Sequence, residues 1–199
     1  MDEIHDGVDG WHCLSTSSDW ERWLKATIPH DWNREVKRRL VSNLKHTLVG
    51  LEMKAGLIQP QQDSRTTSRS VLFEPYFQVM TFEFCVGTFS VCEGLGSAFH
   101  LANAGGDAER RVGVDQWKAA LVAHFDPTHD RELERHVSQV KVIRDKMHQD
   151  RLGARENIDW HDFGYDGAFI PAKQALECIL MTNSDKVPGN TNLIDLATE

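Results

Sequence analysis

The stretch Phe77-Gln-Val-Met-Thr-Phe-Glu-Phe-Cys-Val86 decides the fold class, because its aromatic and β-branched content suits a strand as well as a helix. Its surroundings choose helix. It lies inside an apolar run from Val71 to Ala104 that is too long for a strand and carries no hairpin signal, while Phe77, Phe84, Val91, Gly94 and Ala98 recur at helical steps. Gly105-Gly106 supplies a C-terminal stop. The run therefore predicts a long hydrophobic central helix. Gly87, Gly94 and Gly96 lower its helix propensity but let a neighbouring helix come close.

Outward from this segment the pattern stays helical. Ser18 and Glu21 have capping-box spacing and open a short helix to about Thr27. Pro29 suits the first turn of a second helix, in which Val36, Leu40, Leu44, Leu48 and Leu51 repeat at steps of three or four until Gly56. The polar, breaker-rich segment 59–70 reads as an exposed loop. Beyond the central helix, Asp115 caps a helix to about Phe125, and Asp126-Pro127 begins another that runs to about Arg151, before Gly153. Residues 157–167 form an irregular segment dense in aromatic and acidic residues, expected to pack down, and Pro171 starts a last helix through Met181. With no βαβ alternation and no internal repeat, the expectation is an all-α bundle of about six helices. Residues 1–182 read as a single domain with a loose lead-in over 1–17, and 183–199 as a C-terminal tail.

Bulk properties narrow the class. The 199 residues are 40% hydrophobic and 26% charged, ordinary for a globular domain and unlike a disordered chain. Glu74, Glu83, Glu93 and His100 interrupt the most apolar run, so no membrane span is expected. The N-terminus is acidic where a secretory signal would be basic, which points to a cytoplasmic protein. Cys13, Cys85, Cys92 and Cys178 show no zinc-like pairing and read as reduced thiols. A net charge of -8 argues against strong non-specific attraction to nucleic acid, though not against a local basic cleft.

The candidate site lies in Val140-Lys-Val-Ile-Arg-Asp-Lys-Met-His-Gln-Asp-Arg151. At about 100° per residue, Leu133, Val137, Val140, Arg144, Met147, His148 and Arg151 share one side of the helix. An unpaired guanidinium on a buried stripe costs several kcal/mol, roughly, so Arg144 must meet a carboxylate such as Glu83 or Glu93, line a cleft, or await an anion. In a cleft, Arg144 would hold a phosphate bidentately, His148 would move a proton near neutral pH, and Arg151 would extend the positive lining. The 159–166 loop would place a stacking ring and His161 beside them, or else clamp itself to the bundle through its aromatic rings.

Ile143-Arg144-Asp145-Lys146-Met147-His148 on a late helix, with the earlier apolar Phe89-Ser-Val-Cys-Glu93-Gly-Leu-Gly, resembles the HEPN superfamily. The resemblance covers Val71 to Ala104 and Pro127 to Gly153; three residues separate Arg144 from His148, one fewer than the family's usual pattern. Arg155 and His161 have a fitting gap of five but lie beyond Gly153. The resemblance implies an RNA-binding protein and a metal-independent endoribonuclease of a toxin-antitoxin or defence system. No cofactor would be needed, and a homodimer would bring two motifs to one cleft, under an antitoxin or other regulatory protein. It gives Arg144 the phosphate and the transition-state charge, His148 the proton and Asp145 the orientation of its neighbours, with Glu93 as a catalytic neighbour.

Two other readings stand beside it. One is a non-catalytic helical interaction or regulatory module in which Arg144 belongs to an ion pair or interface. The other is a metal-dependent hydrolase, since His124, His129, His136, His148 and His161 accompany Asp126, Asp130, Asp145, Asp159 and Asp162, though without HExxH or paired ExxH spacing.

Overall fold

The computed structural model describes residues 3–5, 11–13, 15–30, 32–59, 75–104, 111–146 and 159–194. A two-stranded antiparallel ladder, β1 (Glu3–His5) and β2 (Trp11–Cys13), sets Ile4 opposite His12. Among the described residues six α-helices follow: α1 (Ser17–Thr27), α2 (Arg34–Ile58), α3 (Tyr76–Ala104), α4 (Val114–Phe125), α5 (Leu133–Lys146) and α6 (Ile170–Leu180). The chain is an all-α helical bundle with this ladder added where the sequence suggested only a lead-in.

The decisive stretch is helical, inside α3. This helix touches α2, α4, α5 and α6 and buries residues around much of its circumference, among them Phe84, Cys85, Val91, Cys92 and Leu95, as a central helix should. Its glycines set the approach of the neighbours. A Cβ on Gly87 would lie 2.9 Å from Leu51 Cδ2 of α2, and one on Gly96 would meet the backbone of α4. Burying side chains such as Trp20, Trp23, Trp117, Phe84 and Phe125 stabilises the bundle by about 1.5–3 kcal/mol or more for each. Among the described residues, no helix is long and apolar enough to cross a membrane.

Several boundaries differ from the sequence reading, each for a local reason. The capping box of α1 is Thr16 with Asp19, not Ser18 with Glu21: Thr16 Oγ1 accepts from Asp19 N, and Asp19 Oδ2 accepts from Thr16 N at 2.9 Å. Glu21 instead pairs with Lys25 and Lys45. α2 starts at Arg34 rather than in the Pro29 turn because Asn33 Oδ1 takes the N–H groups of Glu35 and Val36. Asp115 stands in the first turn of α4, with Gly113 at the cap.

The largest change is at Asp126-Pro127, which does not open α5. The buried Asp126 carboxylate reaches past the intervening turn to accept from Arg131 N and, at 3.0 Å, from Leu133 N, so it fastens the start of α5 from the end of α4. His129 and Glu132 adopt φ of 60° and 55°, left-handed conformations that no local glycine announces.

Residues 159–169 are packed down as expected. A short 3-10 turn (Trp160–Phe163) and a π-helical turn (Tyr165–Phe169) bury Phe163 and Phe169 against Phe82 and Phe84 of α3, with ring centroids 5.3 and 4.8 Å apart. Residues 183–194, read as part of a tail, lie along the bundle: Leu193 is buried and Asn183 Nδ2 donates to Thr27 Oγ1.

Candidate functional site

On α5 the buried stripe is Leu133, His136, Val137, Val140 and Ile143, which places Arg144 at its margin rather than its centre. The Arg144 side chain keeps 35% of its surface exposed. Its guanidinium carbon lies 5.2 Å from the centroid of the Phe89 ring on α3, a cation–π contact worth about 0.5–1 kcal/mol at such a site. One guanidinium nitrogen donates to Asp145 Oδ1 at 2.9 Å, and Lys141, one turn back, takes the other carboxylate oxygen. Partial burial works to raise the Asp145 carboxyl, but these hydrogen bonds overcome it and hold it below the usual carboxylate range. Lys146 pairs with Asp162 and so joins the end of α5 to the Trp160–Phe163 turn.

The expected glutamate partners are not used. Glu83 pairs with Lys54 at 3.6 Å, and Glu93 is exposed on α3; among the described residues no ion pair links either to Arg144. Exposed His161 belongs to the same turn as Asp162, and its backbone N–H donates to Asp159. His148 and Arg151 lie outside the described residues. The structure thus brings together Lys141, Arg144, Asp145, Lys146 and the 159–163 turn. Sequence reasoning missed Phe89 and Lys146. The Lys141–Asp145 pair has a readable one-turn spacing, whereas nothing local signals a ring 55 residues away in the chain.

The other chemistry-bearing groups are engaged elsewhere. Among the described residues, no group of three His, Cys, Asp or Glu side chains is placed to hold a metal ion. His124 stacks on Phe99, with ring centroids 3.8 Å apart. Burial pushes the Cys85 and Cys92 thiols up to about 12 and Cys178 to about 11, so all three are neutral at physiological pH and poor nucleophiles.

His136 is buried in α5, and its Nδ1 lacks a hydrogen-bond partner among the described residues. Burial holds its imidazole below the ordinary value of 6.5; Arg135 acts the same way, against Glu132, Gln139 and Asp126. Burial lowers His124 too. The unfolded chain binds these protons at higher pH than the folded one, so their stabilising contribution is complete above about 6.5 and is lost as pH falls through the folded-state values. The melting temperature should therefore fall from pH 7 towards 5, and His136→Leu should flatten that fall in part. An unchanged pH slope in this variant would contradict the assignment. No family model, curated protein or solved structure matches the chain.

Proposed function

We propose that the chain is a HEPN-like helical bundle that binds RNA at the end of α5, with Arg144 as its phosphate ligand. The posture of Arg144 carries this reading: its guanidinium is held over Phe89 and against Asp145, yet one third of the side chain stays open to solvent. A cation positioned in this way loses little further freedom when it meets a phosphate. Lys141 and Lys146 add positive charge, and the half-buried Trp160 in the adjoining turn is a ring on which a base can stack. For cleavage, the 2′-hydroxyl attacks its own phosphodiester and the P–O5′ bond breaks, leaving a 2′,3′-cyclic phosphate and a 5′-hydroxyl; His148 moves the proton from the attacking to the leaving oxygen, and Arg144 stabilises charge growing on phosphate. Asp145 orients Arg144, and a homodimer would set two such ends around one strand.

One observation favours the non-catalytic interaction module as a second reading. Asp145 already matches Arg144 and Lys141, and Asp162 matches Lys146, as in a structural network completing a helix C-terminus. Fluorescence anisotropy with labelled single-stranded RNA in EDTA separates the two readings. Arg144→Ala should weaken binding about fivefold at 0.1 M salt and lower the salt slope by about 0.7, the share of one phosphate contact. Unchanged affinity and slope would overturn the RNA reading, and RNA cleavage that persists undiminished in His148→Ala would overturn the cleavage mechanism.

A further inference from the structure

The chain is acidic overall, yet residues 34–46 hold Arg34, Lys37, Arg38, Arg39 and Lys45 against Glu35 alone. Four of these cations occupy the first six residues of α2, where the aligned peptide dipoles already present positive charge. A helix selected only for stability places acids there. Capping does not explain the cations, since the Asn33 side chain satisfies the N–H groups of Glu35 and Val36 at 3.0 and 3.2 Å.

Two of the five have structural work. The Lys37 ammonium donates to the carbonyls of Ile28 and Pro29, and Lys45 pairs with Glu21 at 2.6 Å. Arg38 and Arg39 do not. Each keeps 70% of its side chain exposed, and they share Glu35 at 2.8 and 3.1 Å. Hydrogen bonds from both arginines hold the Glu35 carboxyl down at about 2, so this clamp stays ionised throughout the physiological range. Exposed Ser42 and His46 continue the same solvent face, within about 100° around the axis and about 12 Å along it.

We infer that this stripe, Arg38, Arg39, Ser42 and His46, is a second contact surface for the phosphate backbone of single-stranded RNA, on α2 rather than α5. The inference rests on the RNA-binding reading above. Guanidinium forks match phosphate oxygens bidentately, and Ser42 and His46 supply hydrogen bonds to phosphate and sugar. Charge complementarity selects a polyanion, and surface chemistry selects nucleic acid over an acidic protein. Protein interfaces need buried apolar or aromatic anchors, whereas none of the exposed large hydrophobic residues lies within 34–46.

The test titrates a labelled single-stranded RNA with the full chain across a salt series. Arg38→Gln/Arg39→Gln should weaken binding about 25-fold at 0.1 M salt and lower the salt slope by about 1.4, two phosphate contacts. Arg38→Lys/Arg39→Lys should keep most of the slope. Arg135→Gln, the loss of one such charge at another exposed arginine, should leave affinity within about twofold, and thermal melts should show each variant folded. An unchanged slope in the glutamine pair, or an equal loss in Arg135→Gln, would overturn the inference. Loss in Arg144→Ala without loss in the glutamine pair overturns this inference alone, and the converse overturns the α5 reading alone. Absence of RNA binding by the unaltered chain overturns both, as does preferential binding to phosphatidylserine vesicles over RNA.

Discussion

Replacing Gly96 by alanine is expected to cost about 3 kcal/mol and lower the melting temperature by roughly 6–12 °C. A Cβ at this position would overlap the Trp117 carbonyl oxygen and lie 3.0 Å from both its carbonyl carbon and ring atom Cε3. The obstacle is the backbone of α4, so relief requires that helix to move away from α3 and loosen the core around Trp117. Gly94 provides the comparison: its Cβ would meet the flexible end of Leu40 at 3.1 Å, which can yield, so Gly94→Ala should change stability by less than about 1 kcal/mol. Gly50 has its nearest neighbour, Lys54 Nζ, at 3.8 Å, and its alanine variant should gain about 0.8 kcal/mol of helix propensity. Thermal denaturation of the three variants checks the ranking. Equal effects at Gly96 and Gly94 would mean that α3 and α4 are not in this close contact.

A second large effect is expected at Glu52, which is 1% exposed in the C-terminal half of α2. Its carboxylate accepts from Ser15 N at 2.9 Å, Ser15 Oγ at 2.7 Å and Trp20 Nε1 at 3.4 Å, while Asn192 Nδ2 donates to its backbone oxygen at 3.0 Å. Glu52 therefore fastens the segment before α1 to α2 and receives the segment after α6. Glu52→Ala leaves the buried Ser15 and Trp20 donors without their acceptor and should cost about 3 kcal/mol. Glu52→Gln should cost much less, because the amide oxygen can keep the Ser15 N and Trp20 Nε1 donors while the amide nitrogen donates to the Ser15 hydroxyl, which also accepts. Chemical denaturation reads both variants; a glutamine variant as unstable as the alanine variant would show that these contacts require a carboxylate.

Glu52 also shows what the sequence makes legible. The periodicity that singles out Arg144 on α5 applies equally to α2, where Glu52 stands one turn beyond Leu48 on the same stripe. A charge on a buried stripe was a sound signal, but at Arg144 it marked the margin and at Glu52 the interior, and helical spacing alone does not separate them. The helical state of α3 was legible because its apolar run exceeds strand length and its small residues match its packing. The start of α5 was not. Asp126-Pro127 carries the usual opening signature, yet the Asp126 carboxylate serves an N–H group seven residues on, through a turn whose left-handed residues are His129 and Glu132. Ser18 and Glu21 carry capping-box spacing, but the three-dimensional entry of the chain selects Thr16 with Asp19 instead.

The central claim is that Arg144 is positioned for phosphate rather than spent on holding α5 to α3. It is tested most directly by measuring RNA affinity and melting temperature together for Arg144→Ala and Arg144→Lys. The account predicts a melting temperature within a few degrees of the unaltered chain for both, since the Phe89 contact and the partly exposed Asp145 pair contribute only about 1 kcal/mol. RNA binding should weaken about fivefold in the alanine variant and retain its salt slope in the lysine variant. A large loss of stability in Arg144→Ala with unchanged RNA affinity would contradict the account and leave Arg144 as a structural residue.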